Sequence, residues 1–462
     1  MRAACKRPRP LSSGLTEGAR RWARPRPRRR TEKFKCPRLQ RFPLATLDCS
    51  QLPEARAEEL AAVLGGLAVL DTDHGSILMD VPVERKRALV AAVSRDCRLD
   101  RAMGMGVGDG VGHMFEFMPC RDKPGDAFFD LSTMSCHNQQ NTFHLKMGQW
   151  TDDASMGLCI ADSLILRKCY DGSDIRQRFW NWWNRGYNNA FRLLTGPWSG
   201  HSVGLGGNIS KSLSDMDRLR AGRKPCPVFR SKGEDAGNGS LMRLAPVALF
   251  FHSVPHETEI EVDENGPTTW KQMRRIACAL LAHIIVSALR RPSGEAVDPK
   301  AFLESTTAEY ARLSGLDAKC ESGDWRYRHV RWLVTGHPER GQERCWAWRE
   351  PSLGLEETLK TRGQRYNGYP VSAGYFGSYS LDGLAIALWA VYHTGSFDEA
   401  VVKAINVLGD ADSYGSICGQ IAGALYGLQR VHPQFRSWLN RWDDHEFAVR
   451  AVLLHELGSS LK

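Results

Sequence analysis

The sequence predicts an all-α protein, and three observations carry that expectation. Apolar residues recur at three- and four-residue spacing in segment after segment, as one buried helix face requires. Strand-length runs do not alternate with helices in the way a parallel sheet demands. Near the C-terminus, Gly415, Gly419, Gly423 and Gly427 fall at strict four-residue intervals in an otherwise helical run, which puts all four on one face. Each glycine costs a helix about 1 kcal/mol relative to alanine, so roughly 4 kcal/mol must return through another helix packed on that bare face.

The elements follow in order. Residues 1–50 carry 15 Lys and Arg against Glu17, Glu32 and Asp48, and are rich in Arg and Pro. They read as a basic, disordered arm without the apolar core of a secretory signal. The net charge of +10 therefore belongs to this arm. The body is close to neutral, so a nucleic-acid partner is expected only through the arm, if at all. Residues 51–97 read as an N-terminal adaptor, with helices at 54–64 and 83–94 and a strand at 76–81. Residues 98–462 form the main domain. No run approaches the ~18 apolar residues of a membrane span. The thirteen scattered cysteines, without C-x-x-C pairs, suit a reducing, intracellular setting. A cytoplasmic location is expected, with a nuclear or organellar one open through the arm.

Within the main domain, Gly104-Met-Gly-Val-Gly-Asp-Gly-Val-Gly112 places glycine at every second position. That pattern never satisfies G-x-G-x-x-G, so no dinucleotide fingerprint is present. These glycines must serve close packing or close approach to a ligand, and Asp109 and Glu116 are the polar residues beside them. Helical periodicity marks 151–166, 269–291, 297–313, 381–392, 397–408 and 410–428. The aromatic and Asn/Gly-rich stretch 174–220 reads as core with a glycine loop at Gly206-Gly207-Asn208. A second loop follows at Gly237-Asn238-Gly239-Ser240. Exposed backbone N–H groups of such loops can hold phosphate. The Trp- and Arg-rich stretch 318–368 lacks clear periodicity and reads as an irregular insertion.

Two helices begin with acids: Thr151-Asp152-Asp153 and, some 260 residues on, Asp410-Ala411-Asp412-Ser413. Each alone fits a helix cap, because Thr, Asp and Ser bond free N–H groups and carboxylates suit the helix dipole. A cap needs one oxygen, however, whereas these two starts offer four carboxylates and two hydroxyls. If they converge among apolar helices, like charges force protonation unless a cation is present. Hard oxygen ligands of this kind suit Mg²⁺, Mn²⁺ or Ca²⁺ and not zinc. An EF-hand is excluded, since a loop starting at Asp410 has Ile421 where the bidentate Glu must stand.

These segments carry a resemblance. Gly148-Gln-Trp-Thr-Asp-Asp-Ala-Ser-Met156 resembles the Trp-Thr-Asp-Asp-Thr-x-Met signature of the ADP-ribosylglycohydrolase family. Gly108-Asp-Gly-Val-Gly-His-Met-Phe-Glu116, Gly237-Asn-Gly-Ser-Leu-Met-Arg-Leu-Ala-Pro246, Tyr379 to Trp389 and Gly409-Asp-Ala-Asp-Ser413 are similar to its other blocks, in the same order. The resemblance implies a compact, mostly orthogonal all-α domain with a binuclear Mg²⁺ or Mn²⁺ centre. By position it makes Thr151, Asp152, Asp153, Asp410, Asp412 and Ser413 the metal ligands. Glu116 corresponds to the family's mobile active-site glutamate. Gly206, Gly207, Asn208, Gly237, Asn238, Gly239 and Ser240 would hold the pyrophosphate and ribose of ADP-ribose. Two departures stand out: Ala154 replaces the usual Thr, and Thr268-Thr269-Trp270 stands where the family often carries Thr-His.

The implied activity is hydrolysis of the glycosidic bond between ADP-ribose and a protein side chain or small acceptor. Positive charge develops at the anomeric carbon in such a reaction, and Glu116 with Asp152 or Asp153 would move protons to and from the attacking water. The alternative is a non-catalytic relative, a crystallin-like structural protein or an ADP-ribose-binding module. Such a protein has no physical need for four clustered acids.

Overall fold

The computed structural model describes residues 40–43, 68–93 and, with gaps, 103–461; the longest gaps are 195–201, 219–235 and 255–269. Apart from Gln40–Pro43, which form a short strand where a disordered arm is expected, the basic arm lies outside the described residues, as do the expected helix at 54–64 and Thr268-Thr269. The chain divides into two units, 1–37 and 38–462, and all that follows concerns the second.

Helices dominate, as the periodicity predicts. A short antiparallel ladder pairs β1 (Gln40–Pro43) with β2 (Ala68–Asp71), followed by α1 (Val83–Val93) and the glycine-rich α2 (Met103–Gly112). A small hairpin, β3 (Phe128–Asp130) and β4 (Ser135–His137), precedes α3 (Asp152–Arg167), α4 (Gly172–Arg185), α5 (Gly207–Arg218) and α6 (Ala245–Phe250). Then come α7 (Trp270–Arg290), α8 (Pro299–Leu313), α9 (Leu316–Glu321), α10 (Trp325–Thr335) and α11 (Leu355–Arg362). After a two-residue ladder, β5 (Arg365–Tyr366) with β6 (Tyr369–Pro370), the chain closes with five helices. These are α12 (Ser380–Tyr392), α13 (Phe397–Ile405), α14 (Ala411–Tyr426), α15 (Pro433–Asp443) and α16 (Glu446–Ser459). No helix among the described residues is long and apolar enough to cross a membrane.

The bare face of α14 finds its partner in α2. A Cβ at Gly104 would overlap the carbonyl oxygen of Gly419, one at Gly108 that of Gly415, and one at Gly112 that of Ala411. Backbone therefore lies on backbone along three turns, and the alternating glycines of 104–112 contain a four-residue stripe that matches the stripe of α14. Packing at that distance returns the helix propensity lost at each glycine through close van der Waals contact. The seam also brings the C-terminal end of α2, which leads to Glu116, against the N-terminal end of α14, which carries Asp410 and Asp412.

Two expectations differ from the structure. Residues 76–81 form successive turns, with Val81 N donating to Leu78 O at 3.0 Å and Leu78 N to Ser76 Oγ at 3.1 Å. The strand lies earlier, at Ala68–Asp71; a short apolar run alone does not separate a strand from a buried turn. The stretch 318–368 contains three short helices, α9, α10 and α11, with turns between them that carry the buried Trp346 and Trp348. Arg362 pairs there with Asp382 at 2.6 Å, and Trp346 Nε1 donates to the same carboxylate at 2.8 Å. These helices span only 6 to 11 residues, too few turns for an apolar period to emerge.

The segment 68–93 packs into the same core through Val69, Ile77, Leu78, Val81 and Leu89. It is further tied to α16 by a buried ionic network. Arg450 donates to Asp162 at 2.6 Å, Glu446 at 2.9 Å and Ser76 Oγ at 2.9 Å, while Lys86 reaches Glu446 at 2.9 Å. Burial alone would push the Glu446 carboxyl up, but Arg192, Arg450 and Lys86 outweigh it and hold it at about 2. A depressed carboxylate stabilises the fold above its unfolded value near 4.5 and loses that contribution as pH falls towards about 2. Glu446→Gln should therefore destabilise the protein by about 3–5 kcal/mol at neutral pH, because it strands buried cations. Thermal midpoints of both proteins between pH 2 and 7 should converge at the acid end.

Candidate active site

The two acidic helix starts meet at the end of the glycine seam. Asp109, on α2, points at the start of α3 and accepts from Thr151 N at 2.9 Å, Thr151 Oγ1 at 3.0 Å and Ala154 N at 2.8 Å. It satisfies the free N–H groups of that helix from outside. Neither helix-start residue, Thr151 or Asp410, makes a side-chain capping bond of its own. The capping explanation for the acids thus loses its basis, and their carboxylates are left for another task.

Glu116 follows α2 and is clamped against the opposite helix start. Phe117 N donates to Gly409 O at 2.8 Å, and Gly409 N donates to Met118 O at 2.9 Å. Gly409 has φ +80, and a Cβ there would overlap Cys120 Sγ, so only glycine lets the two strands of backbone approach this closely. As a result, carboxylate oxygens of Glu116, Asp410 and Asp412 lie within 4.8 Å of one another. Thr151 Oγ1 stands 3.2 Å from Asp412 Oδ2 and 3.4 Å from Asp153 Oδ2, which joins the α3 start to the same cluster. Asp152 lies alongside, its carboxylate against Gly204, whose φ of +84 and missing Cβ make room for it. Ser413 N donates to Asp412 Oδ1 at 2.8 Å, and its hydroxyl rests 3.7 Å from Met242 Sδ.

The electrostatics are those of an acid cluster short of positive charge. Burial, then the charges of Asp412 and Asp410, push the Glu116 carboxyl well above its ordinary range. Burial and Asp412 do the same to Asp152 and Asp153; burial and Asp410 do it to Asp412. Arg243 opposes the rise at Asp152. Burial raises Asp410 too, but hydrogen bonds from Asn238, Ser378, Tyr375 and Ser413 hold it back.

Donors are also too few. The single proton of the Thr151 hydroxyl faces three carboxylate oxygens, and the buried Glu116 Oε2 and Asp153 Oδ1 have no hydrogen-bond partner. An ion with oxygen ligands at roughly 2.1–2.5 Å bridges oxygens up to ~4–5 Å apart, so these residues fit a hard divalent cation.

The glycine loops approach from two sides. Asn238 is buried and donates its amide to Asp410 Oδ2 at 2.8 Å and to Gly377 O at 3.0 Å. Its side chain thus orients a carboxylate. The loop it belongs to is held by α14, where Ser416 Oγ and Gln420 Nε2 donate to Met242 O at 2.7 and 2.9 Å. Gly206 and Gly239 border open space; Gly207 opens α5, with Asn208 in its first turn. Gly237 precedes the short helical turn of Asn238–Ser240, and Ser240 ends it.

Sequence reasoning singled out Asp109 but gave it no role, and it missed Tyr375, whose hydroxyl bonds Asp410. A lone tyrosine carries no signal until the acid cluster beside it is assembled.

The pattern of the ADP-ribosylglycohydrolase family matches residues 96–460. The chain belongs to the ADP-ribosylglycohydrolase family. Among its relatives, "ADP-ribosylarginine hydrolase Tri1" of Pseudomonas putida is 27% identical over 416 residues, covering 84% of this chain and 90% of that protein. "ADP-ribosyl-[dinitrogen reductase] glycohydrolase" of Rhodospirillum rubrum is 25% identical over 348 residues, 75% of this chain and 90% of the relative. A solved structure, "ADP-ribosylglycohydrolase-related protein complex", superposes with a TM-score of 0.51 at 25% identity over 79% of this chain and 98% of its own. The all-α ADP-ribosylglycohydrolase fold read from the sequence is thus the fold of this chain.

Proposed function

We propose that this protein is a metal-dependent hydrolase that cleaves the N-glycosidic bond between ADP-ribose and the guanidinium of an arginine side chain. The observation that carries the reading is the convergence of Glu116, Asp410 and Asp412 within 4.8 Å, joined through Thr151 to Asp153. The relatives' names point to an ADP-ribosyl bond, and arginine is the acceptor named by a relative matched over 84% of this chain.

Thr151, Asp152, Asp153, Asp410, Asp412 and Ser413 would hold two Mg²⁺ or Mn²⁺ ions. When bound, such ions bind ribose hydroxyls and lower the pKa of a coordinated water. The chain's own residues do the rest. Asp109 fixes Thr151 and the start of α3, and Asn238 fixes Asp410, so the carboxylates are held before substrate arrives. Glu116 would take a proton from water or give one to the leaving nitrogen, and its buried Oε2, without a partner, supports that role. Asp152 and Asp153 are the other candidates for that transfer. Backbone N–H groups at Gly206, Gly207 and Asn208, and at Gly237, Gly239 and Ser240, would receive the pyrophosphate and ribose.

The test is release of ADP-ribose from arginine-, serine- and O-acetyl-linked substrates, with and without EDTA. Arginine-linked substrate should be cleaved, EDTA should stop the reaction, and Mg²⁺ or Mn²⁺ should restore it. No release from any of the three refutes the proposal.

A further inference from the structure

Beside Glu116 stands Phe117, a large aromatic residue that is 44% exposed. Its φ of 66 lies in the left-handed region, which bulky residues rarely occupy, and such outliers cluster at functional sites. The hydrogen bond that its N–H donates to Gly409 O holds it in this conformation. One ring face is covered by Tyr375, stacked at 5.6 Å with an interplanar angle of 25°. Phe143 meets Phe117 edge-on at 5.9 Å and 69°. Tyr375 in turn places its hydroxyl on Asp410. An apolar ring, stacked on Tyr375 and touched by Phe143, is thus held beside the acid cluster with part of its surface in solvent.

We infer that Phe117 is the acceptor-recognition residue of the site, the platform on which the planar guanidinium of the arginine leaving group rests. This rests on the reading of the protein as an arginine-directed hydrolase. The reasons are geometric and electrostatic. The leaving nitrogen must lie within reach of the group that protonates it, and Phe117 is the chain neighbour of Glu116. The glycine loops meet the acids at Asp152, beside Gly204, and at Asp410 Oδ2, through Asn238.

A guanidinium is a flat, weakly hydrated cation that stacks on aromatic faces. Carboxylates of Glu116, Asp410 and Asp412 converge within 4.8 Å of one another beside the ring, and such a cluster favours a cationic leaving group over a neutral one. A serine or acetyl leaving group offers no flat cation for the ring.

Agmatine, a free guanidinium compound, tests this by titration against the full-length protein saturated with Mg²⁺ and ADP-ribose, followed by saturation-transfer NMR. Wild type should bind agmatine, and the uncharged analogue N-butylurea should bind at least about tenfold more weakly. Phe117→Ala and Phe117→Leu should weaken agmatine about tenfold, and Phe117→Trp should retain it. In turnover, Phe117→Ala should lower the ratio of arginine-linked to serine-linked cleavage by a similar factor, through KM.

Unchanged agmatine affinity in Phe117→Ala, or an equal loss of ADP-ribose affinity, would overturn the inference; the second result would make Phe117 a support for the Glu116 loop. Retention by Phe117→Leu would also overturn it, since a bare apolar contact would then suffice. Agmatine binding that depends on Phe117 without any ADP-ribose release leaves the platform standing and removes the hydrolase. Arginine-linked turnover with selectivity indifferent to Phe117 does the reverse.

Discussion

Replacing Asp152 and Asp410 together with asparagine should lower ADP-ribose release by ~10³-fold or more, and it should change stability in opposite directions with and without metal. In wild type, Mg²⁺ should raise the thermal midpoint and ADP-ribose should raise it further, since each binds only the folded state. The double variant should show neither shift. In EDTA the order reverses. Six carboxylates share one poorly hydrated space, and burial with mutual repulsion raises their proton affinity. A carboxyl whose folded pKa exceeds its unfolded one stabilises the fold only at low pH and loses that contribution as pH rises. Neutral amides at two positions remove part of this burden, so the metal-free variant should melt above metal-free wild type at neutral pH. Differential scanning fluorimetry in EDTA and in Mg²⁺ reads both signs. If the variant gains as much from Mg²⁺ as wild type does, the cation site has been assigned to the wrong residues.

The second large effect belongs to the glycine seam. Gly108→Ala should destabilise the protein by ~3 kcal/mol or more, at the upper end of overpacking costs. The added Cβ would meet backbone atoms of Gly415 and Ser416, and backbone cannot turn aside as a flexible side chain can. The alanine gains about 1 kcal/mol of helix propensity, so the clash wins. Gly239→Ala supplies the contrast, because a Cβ there meets nothing within 4 Å and folding should be untouched. Thermal or urea unfolding of the two variants compares a methyl group against backbone with one in open space. A soluble Gly108→Ala protein should also lose activity, because the seam sets the separation of Glu116 from Asp412.

How much of this was legible beforehand depends on the range of the interaction. The stripe at Gly415, Gly419 and Gly423 announced a bare helix face, since the spacing itself is the signal. The partner stripe at Gly104, Gly108 and Gly112 was hidden inside an every-second-residue pattern, and only the fold shows which glycines face α14. Thr151-Asp152-Asp153 and Asp410-Ala411-Asp412-Ser413 advertised themselves as surplus oxygen, because four acids exceed what two caps can use. By contrast, Asp109 does its capping across 42 residues of sequence, and Asn238 orients Asp410 across 172. Contacts at such separations leave no periodic trace. The aromatic bracing of Phe117 by Tyr375 and Phe143 is of the same kind: three unremarkable residues until folding brings them to one rim.

The ionic tie between α16 and the segment 68–93 has a consequence for what counts as the protein's minimal unit. The family pattern begins at residue 96, yet Ser76 and Lys86 complete the buried ligation of Arg450 and Glu446. A gene fragment bounded by the shared pattern would inherit every carboxylate of the acid cluster while leaving α16 with an unfinished charge ledger. The unit that these buried bonds tie together therefore starts upstream of residue 96, where the family pattern begins.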